Sequence, residues 1–307
     1  MFQILHGTNI DFIGQRYKAF IFSGILVSIG LVALVMIFLG KANMGIDFAG
    51  GTMIQGSFAN PINVSDLRNA VTSGGFPEAA IQRVDRYNVP NAYIVRVKET
   101  SIGGEKAVDH LMRIITEKFP GNTFTKDSEH TIGPAVGESL RRSAIWAVLV
   151  SVLGMIVYIG LRFDFRSGVA ATIATFHDVL AITGIFFILN KEITLLVITA
   201  LLTLAGYSLT DTVVVYDRIR ENLKKYRKKG EFVSTVNRSI NEVLSRTVIT
   251  SMTVFLVVVI LYFFGGEVLR DFAFAMVLGV IVGTYSSIFV ASPIVIEWEA
   301  RFPKRFK

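Results

Sequence analysis

Six apolar runs in this chain are long enough to cross a lipid bilayer, and that count limits the fold more than any other feature. About 30 Å of hydrocarbon takes roughly 20 residues of helix, and lipid offers no partner to a free backbone amide, so each run must be helical throughout. The runs fall at residues 19–40, 143–161, 167–189, 193–215, 247–264 and 272–296. Hydrophobic residues make up 52% of the 307, above the roughly 45–50% of a soluble domain. The first run follows Arg16 and Lys18, but it exceeds the about 7–15 residues of a signal-peptide core and predicts a retained anchor.

The net charge of +7 follows the same partition. Lys and Arg gather beside the apolar runs instead of forming a basic face, which argues against nucleic acid as a partner. Under six-span counting, Arg16 and Lys18, Arg162 and Arg166, the series Arg218, Arg220, Lys224, Lys225, Arg227, Lys228, Lys229 and Arg238, and the final Arg301, Lys304, Arg305 and Lys307 share one side. The opposite short loops carry only Lys191 and Arg270. Positive charge in short loops marks the cytoplasm, so both termini are expected inside and the long segment 41–142 outside. The expected organisation is an N-terminus and first span (1–40), an extracytoplasmic domain (41–142), the other five spans (143–296) with a basic cytoplasmic loop (218–246), and a basic tail (297–307).

Segment 41–142 alternates like an α+β domain. Residues 52–58, 81–87, 93–98 and 123–132 read as strands. Residues 65–74 read as a helix with Leu67, Ala70 and Val71 on one face. Val108, Leu111, Met112 and Ile115 mark a second helix, ended by Pro120-Gly121. The order βαββαβ predicts a ferredoxin-like sandwich. The expected fold class is therefore an α-helical membrane protein with six transmembrane helices and one extracytoplasmic α+β domain. That domain holds no catalytic constellation, so binding or mechanical coupling is expected of it, not enzymatic chemistry. With no cysteine and four dispersed histidines, neither a metal site nor another cofactor is expected. A phosphate-binding Gly-x-x-x-x-Gly-Lys run is missing too, so energy must come from a gradient or a partner.

Ionisable side chains inside spans are costly and usually mark an ion or substrate path. His177 and Asp178 lie about 15 Å into the third span at 1.5 Å per residue. Asp211 sits in the apolar part of the fourth span, on a face shared with Ser208 and Arg218, while Asp217 reads as an anchor at the headgroups. The fifth span opens with Arg246, Thr247, Thr250, Ser251 and Thr253. Arg246 is a plausible partner for Asp211. An arginine can hold a neighbouring carboxylate ionised, and its departure lets the carboxyl take a proton. Asp211, Arg246, His177 and Asp178 are thus the proton-path candidates. His177 reads equally as an interhelical hydrogen bonder, and Arg246 also as a snorkelling cation. Gly279, Gly283, Ser287 and Ala291 form a small-residue face for close helix packing in the last span.

Several of these residues stand in runs that resemble the SecF family, the smaller membrane subunits of bacterial SecD/SecF complexes that assist the Sec protein-export channel. The runs are Gly45-Ile46-Asp47-Phe48-Ala49-Gly50-Gly51, Arg162-Phe163-Asp164, Phe176-His177-Asp178, the segment from Gly206 to Asn222 that includes Asp211, Asp217 and Arg218, and Ser245-Arg246-Thr247. The resemblance covers essentially the whole chain. Thr210 stands where many members have Asn and Ala49 where many have Thr, so hydrogen bonding by those two side chains is not carried over. The resemblance implies a relative of the resistance-nodulation-division transporters, with six spans pairing pseudo-symmetrically against six of SecD. It implies a bacterial inner-membrane protein that uses the proton-motive force in late translocation and release of exported proteins. Asp211 and Arg246 match the family's transmembrane acid and arginine; Gly45, Asp47, Gly50, Gly51, Asp217 and Arg218 match motif positions taken as structural. The implied partners are SecD, the SecY/SecE/SecG translocon, the translocating preprotein and membrane lipid, with YidC and YajC as further candidates.

Two other readings compete. A self-sufficient small-molecule or lipid exporter of the same superfamily needs a substrate pocket of its own, and an internal repeat is not evident within six spans. An intramembrane aspartyl protease needs paired aspartates, but Asp211 and Asp217 stand about 240° apart around one helix.

Overall fold

A computed structural model describes residues 8–86, 89–225 and 232–302. In chain order its helices are α1 (Arg16–Phe38), α2 (Ile46–Ala49), α3 (Val64–Ser73), α4 (Ala107–Lys118), α5 (Pro134–Arg162), α6 (Phe165–Ile188), α7 (Leu195–Lys225), α8 (Phe232–Phe264), α9 (Gly266–Ser286) and α10 (Ser292–Arg301). The strands are β1 (Gly51–Phe58), β2 (Ala80–Arg86), β3 (Val89–Val97), β4 (Ser101–Ile102), β5 (Glu105–Lys106) and β6 (Phe124–Ile132). Tyr87 of the expected second strand, Arg227, Lys228 and Lys229 of the basic loop, and Lys304, Arg305 and Lys307 of the tail lie outside the described residues. The chain divides into two compact units, one of them comprising Met44–Trp146 and Glu192–Leu195.

In that unit, alternation along the strands sorts one set of side chains into a core. The four long strands lie in the order β2-β3-β1-β6, each antiparallel to its neighbours. This is the order expected of a ferredoxin-like βαββαβ sheet. Ile54, Tyr93 and Val95 face Leu67, Val71, Leu111 and Ile115 of α3 and α4, all within one buried cluster. The Asn63 side chain caps α3 by accepting the Ser65 amide at 3.1 Å. The β4–β5 hairpin was not expected; Gly103 and Gly104, with φ of 58° and 87°, supply its turn. Glu105 of this hairpin lies 3.1 Å from His110 and 2.8 Å from Arg113, which together hold its carboxyl below the usual carboxylate range.

The glycine-rich run before β1 forms the root of this unit. Gly51 has φ of 126°, and a Cβ there would stand 2.3 Å from the Val97 carbonyl oxygen, so only glycine fits. Just before it, Gly45 donates its amide to the Ile193 carbonyl at 3.0 Å. Asp47 Oδ2 accepts the Leu195 amide at 2.8 Å. Arg96 pairs with Glu192 at 3.1 Å.

The other unit is a helical bundle. Among the described residues, six helices are long and apolar enough to cross a membrane: Ile13–Phe38, Pro134–Arg162, Phe165–Ile188, Leu195–Lys225, Phe232–Phe264 and Val268–Arg301. Several outrun their apolar stretches. α7 continues past residue 215 and α8 begins before 247 because polar pairs hold the extensions together. Asn222 donates to Ser239 at 3.0 Å and to Glu242 at 2.6 Å, and Arg218 donates to Glu242 at 2.6 Å. Glycines set the close approaches. A Cβ on Gly184 of α6 would lie 2.9 Å from the Gly30 amide nitrogen of α1, and one on Gly279 of α9 would lie 2.6 Å from Leu204 of α7. The last span is not one regular helix, as its apolar pattern suggested. Between α9 and α10, Ser287–Ala291 winds as a π-helical turn. Pro293 explains the break, since it offers no amide to the preceding turn.

Candidate functional site

A seam of polar side chains runs through the bundle where α6, α7, α8 and α9 meet. Each helix contributes a short polar step within an apolar run. On α6 these are His177 and Asp178, 3% and 0% exposed. The Asp178 carboxylate accepts from His177 Nδ1 at 2.9 Å, from Ser286 Oγ of α9 at 2.8 Å and from Ser208 Oγ of α7. A Cβ added at Gly283 would lie 3.2 Å from Ser208 Cβ, so the glycine lets α9 bring Ser286 to the carboxylate. A second chain of hydroxyls crosses α7, α8 and α9: Tyr207 donates to Ser251 at 3.0 Å, and Ser251 meets Thr284 at 2.7 Å. Below, Thr212 meets Ser287 at 3.0 Å and Tyr216 donates to the Ala291 carbonyl at 2.9 Å. The Tyr216 hydroxyl thus ties α7 to the end of the π-helical turn.

Asp211 is surrounded differently. It is buried and faces Thr247 of α8, yet its Oδ2, the Thr247 hydroxyl and His177 Nε2 are buried without a hydrogen-bond partner. A buried carboxylate oxygen lacking a partner is costly. Arg246 does not supply that partner in this structure. It is exposed, and among the described residues its guanidinium forms no ion pair with Asp211. Asp217 pairs with Arg162, which donates to both carboxylate oxygens at 2.7 Å. Arg218 pairs with Glu221 and Glu242. Two motif positions therefore form the charged layer at one end of the bundle, together with Arg166–Glu299 and Arg16–Glu297.

The structure brings His177 and Asp178 together with Ser208, and it places Gly279 and Gly283 against α7. Among the described residues it shows no ion pair between Asp211 and Arg246. Reading the sequence missed Ser286, Thr284 and Glu299. The Ser286-Ser287 doublet and the acid within a basic tail were the available signals. Neither reveals which distant residue it meets.

A bundle of six membrane-crossing helices threaded by a polar seam, with a ferredoxin-like domain inserted after the first helix, defines a multi-pass membrane protein of the transport kind. Comparison with known proteins narrows this. The family model "Protein export membrane protein SecD/SecF, C-terminal" matches residues 113–301. The chain is 47% identical to the protein translocase subunit SecF of Thermodesulfovibrio yellowstonii over 297 residues, 96% of this chain and 97% of that one. It is 40% identical to the SecF of Endomicrobium trichonymphae over 306 residues, 99% of this chain and 96% of that one. The crystal structure of SecDF from Thermus thermophilus superposes with a TM-score of 0.84 at 37% identity, covering 98% of this chain and 40% of that chain. A super-membrane-facing form of SecDF gives a TM-score of 0.69 at 38% identity, with the same coverage. This chain thus spans 40% of the length of the solved SecDF chains. It belongs to the SecF family of protein translocase subunits.

Proposed function

We propose that this chain, together with SecD, uses the proton-motive force to promote late translocation and release of proteins exported through the Sec channel. It does so in a bacterial inner membrane with both termini in the cytoplasm, and it carries no catalytic step of its own. The observation that carries the reading is the buried Asp211 carboxylate oxygen without a partner. A carboxyl so placed gains by taking a proton or by meeting a cation. Arg246, on the helix that Asp211 faces, is the cation we assign to it in another state of the cycle. His177 and Asp178 complete the path.

A polar stripe supports the partnership with SecD. Thr203, Gly206 and Thr210 of α7, and Arg246, Thr250 and Thr253 of α8, are exposed although they lie on membrane-crossing helices. The threonines satisfy their hydroxyls on their own backbones, as Thr203 does on Thr199 at 2.8 Å and Thr210 on Gly206 at 3.0 Å. Small and polar residues of this kind line contacts between membrane helices and are out of place against lipid. Helices of another membrane protein fit that stripe. The SecY/SecE/SecG channel, YidC, YajC and the preprotein follow as partners from the family assignment alone.

The test is proton-gradient-driven export into inverted vesicles carrying this chain with SecD. Asp211→Asn keeps the shape and removes the titration. Stimulation by the gradient should vanish while abundance and SecD binding stay at wild-type levels. Normal stimulation by this variant at wild-type abundance removes Asp211 from the proton step.

A further inference from the structure

The loop Glu192–Leu195 lies between α6 and α7 in sequence, yet it packs as part of the α+β unit. Three ties hold it there: the Gly45 amide on the Ile193 carbonyl at 3.0 Å, the Asp47 carboxylate on the Leu195 amide at 2.8 Å, and the Arg96–Glu192 ion pair at 3.1 Å with both side chains largely buried. The fit is close, because a Cβ on Gly45 would lie 2.8 Å from Thr194 Cγ2. Leu195 opens α7. The first amides of a helix have no partner inside it, and a carboxylate at that end also meets the positive pole of the helix. Asp47 therefore caps α7 from a segment 148 residues earlier in the chain. Asp211 sits on that same helix, about 24 Å further along at 1.5 Å per residue.

We infer that Asp47 is a positioning residue that makes the start of α7 move with the α+β domain, so that this helix couples the domain to the membrane carboxylate Asp211. The inference rests on the export reading above. Asp47 touches neither Asp211 nor Arg246 and acts only through the stiffness of α7. A displacement of the domain is handed to α7 at Leu195 and arrives at Asp211, and protonation at Asp211 is handed back the same way.

The experiment uses the full chain with SecD in inverted vesicles. Asp47→Ala should speed amide exchange at residues 195–197 by about fivefold, the equivalent of the about 1 kcal/mol of a lost helix cap. It should also remove gradient-dependent stimulation while abundance, SecD binding and melting temperature hold. Asp47→Asn, which still offers a carbonyl to the amide, should keep most of both. Met44 and Ile193 are bridge partners, and the chain has no cysteine of its own. In the Asp47→Ala background, Met44→Cys with Ile193→Cys should therefore restore stimulation when oxidised and lose it when reduced. Wild-type stimulation despite faster exchange, or unchanged exchange, overturns the inference. So does a loss of stimulation that only tracks a loss of abundance. If the wild-type chain itself shows no stimulation, the export reading fails first and the coupling role falls with it.

Discussion

Asp178 and Asp211 carry the same chemistry into the same bundle, and their neighbours set them apart. Asp178 has three donors, from His177, Ser208 and Ser286, and ties α6, α7 and α9 to one another. Asp178→Asn turns an acceptor into a donor facing hydroxyls, and one unsatisfied buried group costs about 1–3 kcal/mol. The variant should unfold at lower temperature in detergent as well as lose stimulation. Asp211→Asn should leave the melting temperature in place, because that carboxylate has an oxygen with no partner to lose. Arg246→Met should impair the same step as Asp211→Asn, since the carboxyl then lacks its counter-charge in one half of the cycle. Arg246→Lys should restore part of it, keeping charge without the planar fork. Equal export by wild type and Arg246→Met would separate the arginine from the proton step. The lone acid in an apolar run was legible from sequence because burying it needs a reason. The donors that satisfy Asp178 were not, because Ser286 lies 108 residues away and only the fold brings it near.

The βαββαβ order, the faces of both domain helices and the six spans followed from periodicity, since period two and period 3.6 leave different marks on a sequence. Pairing between membrane helices leaves no such mark. Gly30 and Gly184 set the contact of α1 with α6, yet each is one small residue in an apolar run, whereas the repeated Gly279 and Gly283 stood out. Gly184→Leu should therefore be at least as damaging as Gly283→Leu. At Gly184 a new side chain meets Gly30 backbone, and at Gly283 it first meets the Ser208 side chain. Thermal unfolding of the two variants in detergent checks the order, and a milder effect at Gly184 would contradict it. The polar extensions of α7 and α8 escaped the hydropathy pattern because Arg218, Asn222, Ser239 and Glu242 hold them through polar bonds.

For the whole molecule, orientation and energy supply can be tested separately. Glu117 on α4 and Lys225 at the end of α7 are exposed, and the chain offers no competing thiol. Single cysteines at these two positions should label oppositely in intact cells, with only the Glu117 site open to an impermeant reagent. Labelling of both from outside would overturn the assigned topology, and labelling of the Lys225 site alone would reverse it. A charge crossing the membrane gains about 2.3 kcal/mol per 100 mV, whereas a swing of a two-state equilibrium from 1:99 to 99:1 takes about 5.5 kcal/mol. One proton at that potential cannot drive the full swing. The proposed proton-driven cycle would need more than one proton, a larger driving force, or two states that are nearly balanced at rest.

The π-helical turn at Ser287–Ala291 means that the last span carries one residue more than an unbroken α-helix needs to connect the same two ends. Such a surplus preserves phase: the helix below it faces as it would if the extra residue had never been there. Deleting Phe289 in a Pro293→Ala background should therefore heal the turn and still aim Glu297 and Glu299 at Arg16 and Arg166. Pro293→Ala alone acts the other way. It permits regular winding with the residue count unchanged, and regular winding would swing the tail about 100° away from its arginines. The shortened chain, counter to intuition, is the one that keeps its charged end in register.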